Sequence, residues 1–210
     1  MLENIGRKYN REWIFRNVNF SFLPGNAYAI LGSNGSGKST LLQIISGHLQ
    51  PTNGKITFEQ NGVKIPDELV FRQVSITGPY VELIEEFTLA EMVDFHLKFR
   101  KFRGQIDENQ FISLTQLGRN RHKPLKYFSS GMKQRVKLAL TILSDVPVVL
   151  LDEPASNLDA AGIEWYRSLV ADHLTDRIII ICSNSQPAEH DFCRESILIN
   201  DFKMKDVSKA

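Results

Sequence analysis

Cysteine is scarce in this sequence, and long apolar runs are missing. The 210 residues include only two cysteines, Cys182 and Cys193, too few for the disulfide framework of a small secreted domain. The longest apolar runs, at residues 146–151 and 178–182, have the length of strands, whereas a transmembrane helix needs about 18 apolar residues. Residues 1–9 lack the apolar run of a signal peptide. We therefore expect reduced thiols and a cytoplasmic chain, for which any membrane crossing must come from another protein.

An excess of charge of either sign is also missing. The sequence has 25 Lys and Arg against 24 Asp and Glu, a net charge of +1. Proteins that bind nucleic acids usually carry a basic excess or stripe, so this balance argues against a nucleic-acid partner. We interpret the one basic cluster as a solvated loop; it consists of Arg119, Arg121, His122, Lys123 and Lys126. With 42% hydrophobic residues, the chain can build a core.

The order of the apolar patterns predicts an α/β fold. Two strands are expected between residues 18 and 31, separated by a Pro-Gly turn, and a helix follows a Gly-rich loop. From residue 79 to 144 the pattern is mainly helical, and Thr88 starts a capping box there. Strand-like runs return at residues 146–151 and 177–182, on either side of a helix. This alternation predicts a mainly parallel sheet with a helical sub-lobe.

Residues 32–40 form a phosphate-binding motif. They read G-S-N-G-S-G-K-S-T and fit the pattern G-x-x-x-x-G-K-[ST]. Glycines allow the backbone amides to curl around phosphate oxygens, and the following helix adds its positive end. Lys38 is expected to reach the β- and γ-phosphates, and the Ser39 hydroxyl to ligate Mg²⁺. The predicted nucleotide-binding residues of this loop are Asn34, Gly35, Ser36, Gly37, Lys38, Ser39 and Thr40.

Two acids end the buried run at residues 148–151. We expect this strand to lie beside the strand of the phosphate loop and to point its carboxyl end at the γ-phosphate. Asp152 would then hold Mg²⁺, and Glu153 would act as a general base toward the attacking water. Two acids can also simply end a strand at a protein surface, but the phosphate loop upstream favours the catalytic interpretation.

Residues 128–135 read F-S-S-G-M-K-Q-R and resemble the signature motif of the ABC transporter ATPases, L-S-G-G-Q followed by Q-R. Ser129, Gly131, Gln134 and Arg135 match this motif. The resemblance implies that Ser129 and Gly131 clasp the γ-phosphate of ATP held by a second cassette, identical or not. It also implies an ATPase that powers an integral membrane subunit from the inner face of the cell membrane. The S-x-G-M-K-Q variant is similar to export-type members.

The resemblance covers nearly the whole chain and implies a P-loop NTPase fold. Residues 1–210 would form one domain. Its RecA-like core, with an N-terminal antiparallel β part, would take residues 1–78 and 145–210, and a helical subdomain would take residues 79–144. The membrane subunit is implied to dock around residues 78–87.

Two further stretches match the family. Residues 156–159, S-N-L-D, resemble the loop that crosses the dimer interface. Tyr9 stands where the family has an aromatic residue that stacks on adenine, and Trp13 is a second candidate for that role. Either ring could instead belong to the core.

Two positions depart from the family pattern. Pro79 stands where the family has a glutamine that contacts Mg²⁺, and Asn184 stands where it has a histidine that contacts the γ-phosphate. Proline has no amide group, and asparagine can form a hydrogen bond but carries no charge. We predict a weakened hydrolytic site, either within a heterodimer or in a homodimer of modest activity. A regulatory or sensing cassette is the alternative, against which the intact Glu153 argues.

Overall fold

Five parallel strands form the central sheet in the computed structural model, which describes residues 1–184 and 186–203. In chain order they are β3 (Asn26–Leu31), β7 (Val74–Thr77), β8 (Val148–Asp152), β9 (Ile178–Ser183) and β10 (Glu195–Leu198). Their order across the sheet is β10-β3-β9-β8-β7, and every neighbouring pair is parallel. The predicted parallel sheet is confirmed.

Strand β9 lies between the phosphate-loop strand and the strand that ends in Asp152. Cys182 of β9 pairs with Ile30 of β3 on one side and with Asp152 of β8 on the other. The expectation that β8 lies directly beside β3 is therefore wrong. The crossover from β8 returns the chain on the β3 side of β8, so β9 takes the place next to β3. Because the strands are parallel, their carboxyl ends still meet at one edge.

A second, antiparallel sheet is formed by strands that come before and after β3 in the chain. It contains β1 (Leu2–Tyr9), β2 (Glu12–Phe20) and β4 (Asn53–Ile56) in the order β2-β1-β4. A short hairpin of β5 (Glu59–Gln60) and β6 (Val63–Lys64) follows. The antiparallel β part is confirmed, although the sequence pattern did not reveal β1. Register shifts along β1, where Asn4 has a φ of 52°, interrupt the alternation of side chains that marks a strand.

Six α-helices are described within residues 1–184 and 186–203. They are α1 (Lys38–Ile45), α2 (Leu89–Phe99), α3 (Glu108–Thr115), α4 (Ser130–Ile142), α5 (Ala160–Asp172) and α6 (Pro187–His190). The capping box predicted at Thr88 is present, because Thr88 and Glu91 exchange side-chain and backbone hydrogen bonds. None of the helices in this described part is long and apolar enough to cross a membrane.

The core consists of two clusters that contain alternate residues of the central strands. Leu150 and Ile180 belong to the cluster that includes α1 and the antiparallel sheet. Val149 and Ile179 belong to the cluster that includes α2, α3, α4 and α5. Neighbouring strand residues point to opposite faces of a sheet, so helices α2–α5 cover one face and share its core.

Arg177, directly before β9, forms hydrogen bonds to several chain segments. Its side chain is fully buried and donates hydrogen bonds to four backbone carbonyls, those of Ile142, Ser144, Val146 and His173, over 2.6–3.4 Å. Burial lowers the pKa of Arg177 to about 10. The end of α4 is thereby fixed to the start of β9.

Both cysteines carry free thiols. Cys182 is buried in β9 and Cys193 is half-buried after α6. Burial raises the pKa of the Cys193 thiol to about 12. The thiols are therefore protonated at neutral pH.

Candidate nucleotide site

A Gly-rich loop connects β3 to α1 at the carboxyl edge of the central sheet. Gly35 and Gly37 have φ values of 72° and 109°, in the left-handed region that other residues avoid. A Cβ atom on Gly37 would lie 2.5 Å from Cγ2 of Ile14. The loop geometry therefore requires a glycine at position 37, and the positive φ at position 35 favours one there.

The lysine of the motif lies folded over its own loop. Lys38 is only 4% exposed, and its Nζ donates hydrogen bonds to the carbonyls of Gly32 at 2.9 Å and Ser33 at 3.1 Å. The Ser36 hydroxyl in the same loop is buried and has no hydrogen-bond partner within the described residues. Buried polar groups nearly always have such a partner, so this hydroxyl is available to a polar ligand.

Asp152 ends β8 next to the phosphate loop. Burial raises the pKa of its carboxyl and the charge of Glu153 adds to this rise, whereas a hydrogen bond from Ser39 and the charge of Lys38 lower it. Its Oδ1 atom is buried and has no hydrogen-bond partner in the described part of the chain. An unbonded carboxylate oxygen next to a serine hydroxyl provides the hard oxygen ligands that Mg²⁺ prefers, so the donor set fits a magnesium ion.

Glu153 occupies a strained backbone position directly after Asp152. Its φ is 48°, a left-handed value that a non-glycine residue adopts only when its surroundings enforce it. Its N–H donates to the carbonyl of Cys182 at 2.9 Å, and its carbonyl accepts from the N–H of Ser156 at 3.1 Å. The structure thus brings Lys38, Ser39, Asp152 and Glu153 together at one edge.

The two departures from the family pattern follow the ends of β7 and β9. Pro79 is exposed directly after Gly78, and Asn184 is half-buried directly after Ser183. A Cβ on Gly78 would lie 2.8 Å from Cβ of Asp152, so this segment contacts Asp152. Gln73, a nearby glutamine, lies before β7 at the opposite end of the strand and therefore cannot take the place of the family glutamine.

A second candidate anion site lies at the start of α4. Ser129 caps this helix, and its Oγ accepts a hydrogen bond from the N–H of Met132 at 3.2 Å. A Cβ on Gly131 would lie 2.8 Å from the carbonyl oxygen of Asn157, which shows how closely the signature and the following loop approach. Together they line a cleft of about 480 Å³, which includes Arg135 and Asp159.

These two groups of residues lie on separate surfaces. Among the described residues, none of the phosphate loop lines the cleft at Ser129. Gln134, inside α4, instead donates to the carbonyl of Pro154 at 2.9 Å. The signature residues therefore do not join the phosphate loop of their own chain.

Both candidate aromatic rings lie on the β1–β2 hairpin. Tyr9 is 45% exposed, and the Arg7 guanidinium lies 4.6 Å from its ring centre. Trp13 is half-buried, with the Arg16 guanidinium 4.5 Å from its ring centre. Ile14 of the same hairpin packs against Gly37, so both rings are carried by an element that contacts the phosphate loop.

The buried carboxyl of Glu189 was not found by reasoning from the sequence. It lies in the short helix α6 and is 1% exposed. The Ser183 hydroxyl donates to one of its oxygens, and the N–H of Ala155 donates to the other at 2.9 Å. A glutamate among polar residues after a strand carries no pattern that marks burial.

In the basic cluster, Arg121 pairs with Glu108, and the other four residues are exposed.

Comparisons with known proteins identify the family. The family model described as ABC transporter matches residues 15–156. "ABC transporter I family member 1" of Arabidopsis thaliana is 30% identical over 223 residues, covering 99% of this chain and 95% of that protein. The "cytochrome c biogenesis ATP-binding export protein CcmA" of Rhizobium meliloti is 30% identical over 195 residues, covering 89% and 91%.

Solved structures show the same fold. One is a Pyrococcus furiosus protein whose structure is titled "Putative ABC transporter (ATP-binding protein)". It superposes with a TM-score of 0.81 at 21% identity, covering 97% of this chain and 98% of that one. The ATP-binding cassette MJ0796, solved as a dimer in a post-hydrolysis state with ADP and phosphate, gives 0.76 at 24% identity, covering 94% and 92%. Because the family model matches more than half of the chain and two relatives are 30% identical over nearly their whole length, the chain belongs to the ABC transporter family, as an ATP-binding subunit.

Proposed function

We propose that this subunit hydrolyses ATP at the edge of the sheet where β3 and β8 end. The observation that carries the proposal is the buried Asp152 carboxylate, which has one unbonded oxygen, a hydrogen bond from Ser39, and Lys38 and Glu153 as charged neighbours. Such a group costs free energy to bury. A ligand that carries phosphate and a cation would compensate this cost, and the adjacent phosphate loop suits such a ligand.

In this proposal the backbone amides of residues 34–40 and the Lys38 ammonium bind the β- and γ-phosphates of ATP. Ser39 and Asp152 would hold Mg²⁺, which neutralises charge on the phosphate oxygens. Glu153 accepts a proton from the attacking water, whose oxygen bonds to the γ-phosphorus while the bond to the bridging oxygen breaks. ADP and phosphate are the products. Tyr9, or alternatively Trp13, would stack on the adenine.

The second part of the proposal is a pair of cassettes. Ser129, the amides near Gly131 and the positive end of α4 suit the γ-phosphate of ATP bound to a second cassette. The separation of this cleft from the phosphate loop of the same chain supports a partner that supplies the missing half. The dimeric solved relative supports it as well. The partner is a second copy or an unlike cassette.

The third part is coupling to an integral membrane subunit from the cytoplasmic side, on the inner face of the cell membrane. The segment after β7 exposes Tyr80 to 79% and Val81 to 39%. Exposed apolar side chains of this kind suit a docking contact. We propose export as the direction, supported by the relative that is named as an export protein.

We also propose that hydrolysis at this site is slow. Pro79 and Asn184 lie at the ends of the strands that flank β8. Pro79 has no side-chain amide, and Asn184 has an amide but cannot carry charge, so each lacks the group that the family has at its position. Asn184 can still donate a hydrogen bond to the γ-phosphate.

The test is an ATPase and binding assay on the purified chain. Lys38→Ala is expected to weaken ATP binding at least about tenfold, because it removes the one ammonium in the loop. Glu153→Gln is expected to lower kcat by about 100-fold, as the loss of a general base does. Lys98→Ala and Glu86→Gln change exposed residues of the same types and should behave as wild type. Unchanged binding in Lys38→Ala would refute the site.

The rate of the wild-type chain tests the slow-site proposal. A low kcat that depends on Glu153 is the expected result. Rapid Glu153-dependent turnover by the chain alone would overturn it. Restoring histidine with Asn184→His should raise kcat if this position limits the reaction.

A further inference from the structure

Helix α6 is held between the ends of two strands of the site. The carboxyl of Glu189 accepts a hydrogen bond from Ser183 Oγ, at the end of β9, and one from the N–H of Ala155, which follows β8 by three residues. Ser183 Oγ in turn accepts from the N–H of Gln186 at 3.3 Å. One buried carboxyl therefore joins two separate segments. Ser183 lies 6 residues before Glu189 in the chain, and Ala155 lies 34 residues before it.

Two side chains of α5 also form hydrogen bonds with the backbone of α6. The Tyr166 hydroxyl donates to the Glu189 carbonyl at 3.0 Å, and Arg167 donates to the carbonyl of Ala188 at 3.1 Å. Burial raises the pKa of the Glu189 carboxyl, and the hydrogen bonds from Ser183 and Ala155 lower it. Because the side chain is buried, the carboxyl cannot replace either partner by solvent water if that partner moves.

The two segments that Glu189 joins lead to the two candidate anion sites. Ser183 is followed by Asn184, the residue proposed to contact this chain's own nucleotide. Ala155 is followed by residues 156–159, and Asn157 of that loop lies against Gly131 of the signature. A continuous set of contacts thus runs from one anion site to the other.

We propose that Glu189 is a positioning residue that makes the end of β9 and the loop at residues 155–159 move as one unit. This inference rests on the proposed function, because it deepens the role of the same site. A shift of Asn184 toward or away from a γ-phosphate is transmitted through Ser183 and Glu189 to Ala155. The loop then changes the surface that this chain presents to the signature cleft and to a second cassette.

The first test is hydrogen–deuterium exchange of the whole chain, which does not depend on hydrolysis. Ser183→Ala leaves Ala155 untouched but removes the hydroxyl that holds Glu189. We expect exchange in the peptide that contains Ala155 to increase by about tenfold. Tyr166→Phe removes a buried hydrogen bond to the same glutamate without breaking the bridge, and should leave this peptide unchanged. Unchanged exchange in Ser183→Ala overturns the proposal.

The second test separates positioning from general stability. Glu189→Ala should lower kcat by about tenfold while KM for ATP stays within about twofold, because the phosphate loop is not touched. Glu189→Gln should recover part of kcat, because its amide oxygen still accepts from Ala155 whereas its NH₂ cannot accept from Ser183. Tyr166→Phe should retain the wild-type kcat. An unchanged kcat in Glu189→Ala, or an equal loss in Tyr166→Phe, overturns the positioning role.

The two proposals fail in different ways. If the wild-type chain shows no hydrolysis that depends on Lys38 and Glu153, the proposed ATPase fails, and the exchange experiment alone decides the role of Glu189. If hydrolysis is present and neither the exchange nor kcat responds to these variants, only the role of Glu189 fails.

Discussion

Replacing Gly78 by alanine tests the contact between the end of β7 and the acidic pair. The added Cβ would lie 2.8 Å from Cβ of Asp152, whereas ordinary contacts begin at 3.4 Å, so the two must separate by about 0.6 Å. The φ of Gly78 lies outside the left-handed region, so the backbone itself tolerates alanine. The strain therefore falls on the position of the Asp152 carboxylate.

The size of the effect follows from this displacement. A misplacement of about 1 Å at a reacting centre costs about 100-fold in rate, so a shift of this size should lower kcat by about tenfold or more. The Mg²⁺-dependent part of ATP affinity should fall by a similar factor, because the unbonded Oδ1 of Asp152 moves with its side chain. Stability should change less, since overpacking costs about 1–3 kcal/mol and the stiffer unfolded chain offsets up to about 1 kcal/mol.

The assay is isothermal titration of ATP with and without Mg²⁺, combined with steady-state hydrolysis and urea unfolding. Gly118→Ala is the matched control, because its Cβ would meet nothing within 4 Å and its φ is not left-handed. Gly78→Ala with wild-type Mg²⁺ dependence and wild-type kcat would refute the role assigned to this contact. A loss of the same size in Gly118→Ala would refute its steric cause.

Three further predictions concern stability. Arg177→Met leaves three buried carbonyls and one partly buried carbonyl without this donor and should lower the free energy of unfolding in urea by at least about 3 kcal/mol. A loss below about 1 kcal/mol would contradict this. Thr88→Ala removes the capping box of α2 and should cost about 1 kcal/mol, most of which Thr88→Ser should recover. Burial, followed by the charge of Arg100, lowers the pKa of His96 from 6.5 to about 4. The folded state therefore favours the neutral imidazole more than the unfolded state does. The free energy of unfolding is highest above pH 6.5 and falls by up to about 3 kcal/mol as the pH is lowered to 4. His96→Gln should flatten this part of the pH curve, and an unchanged slope would exclude His96 as its source.

The phosphate loop and the acidic strand end could be predicted because their chemistry is local. The glycines, Lys38 and Ser39 lie within one short segment whose backbone they determine. Asp152 and Glu153 follow directly on the apolar run that forms β8. In both places the residue types and their spacing carry the structural information.

Features that depend on distant contacts were missed. The insertion of β9 next to β3 is decided by the path of the crossover, which no local pattern records. Strand β1 was hidden because bulges near Asn4 interrupt its alternation. The burial of Glu189 depends on Ala155, 34 residues earlier in the chain. The roles of Tyr9, Ser129 and Asn184 toward a nucleotide stay predictions.

The close approach of Gly131 to the carbonyl of Asn157 has a consequence for the assembly of two cassettes. Because the helix tip and the loop interlock within one molecule, their mutual geometry exists before any second cassette arrives. In the proposed pair of cassettes, association would then lose little loop entropy, a cost that flexible surfaces incur when they become ordered on binding. We expect the contact to limit the substitutions possible here as well. A larger residue at position 131 should be tolerated only together with a change in the loop at Asn157.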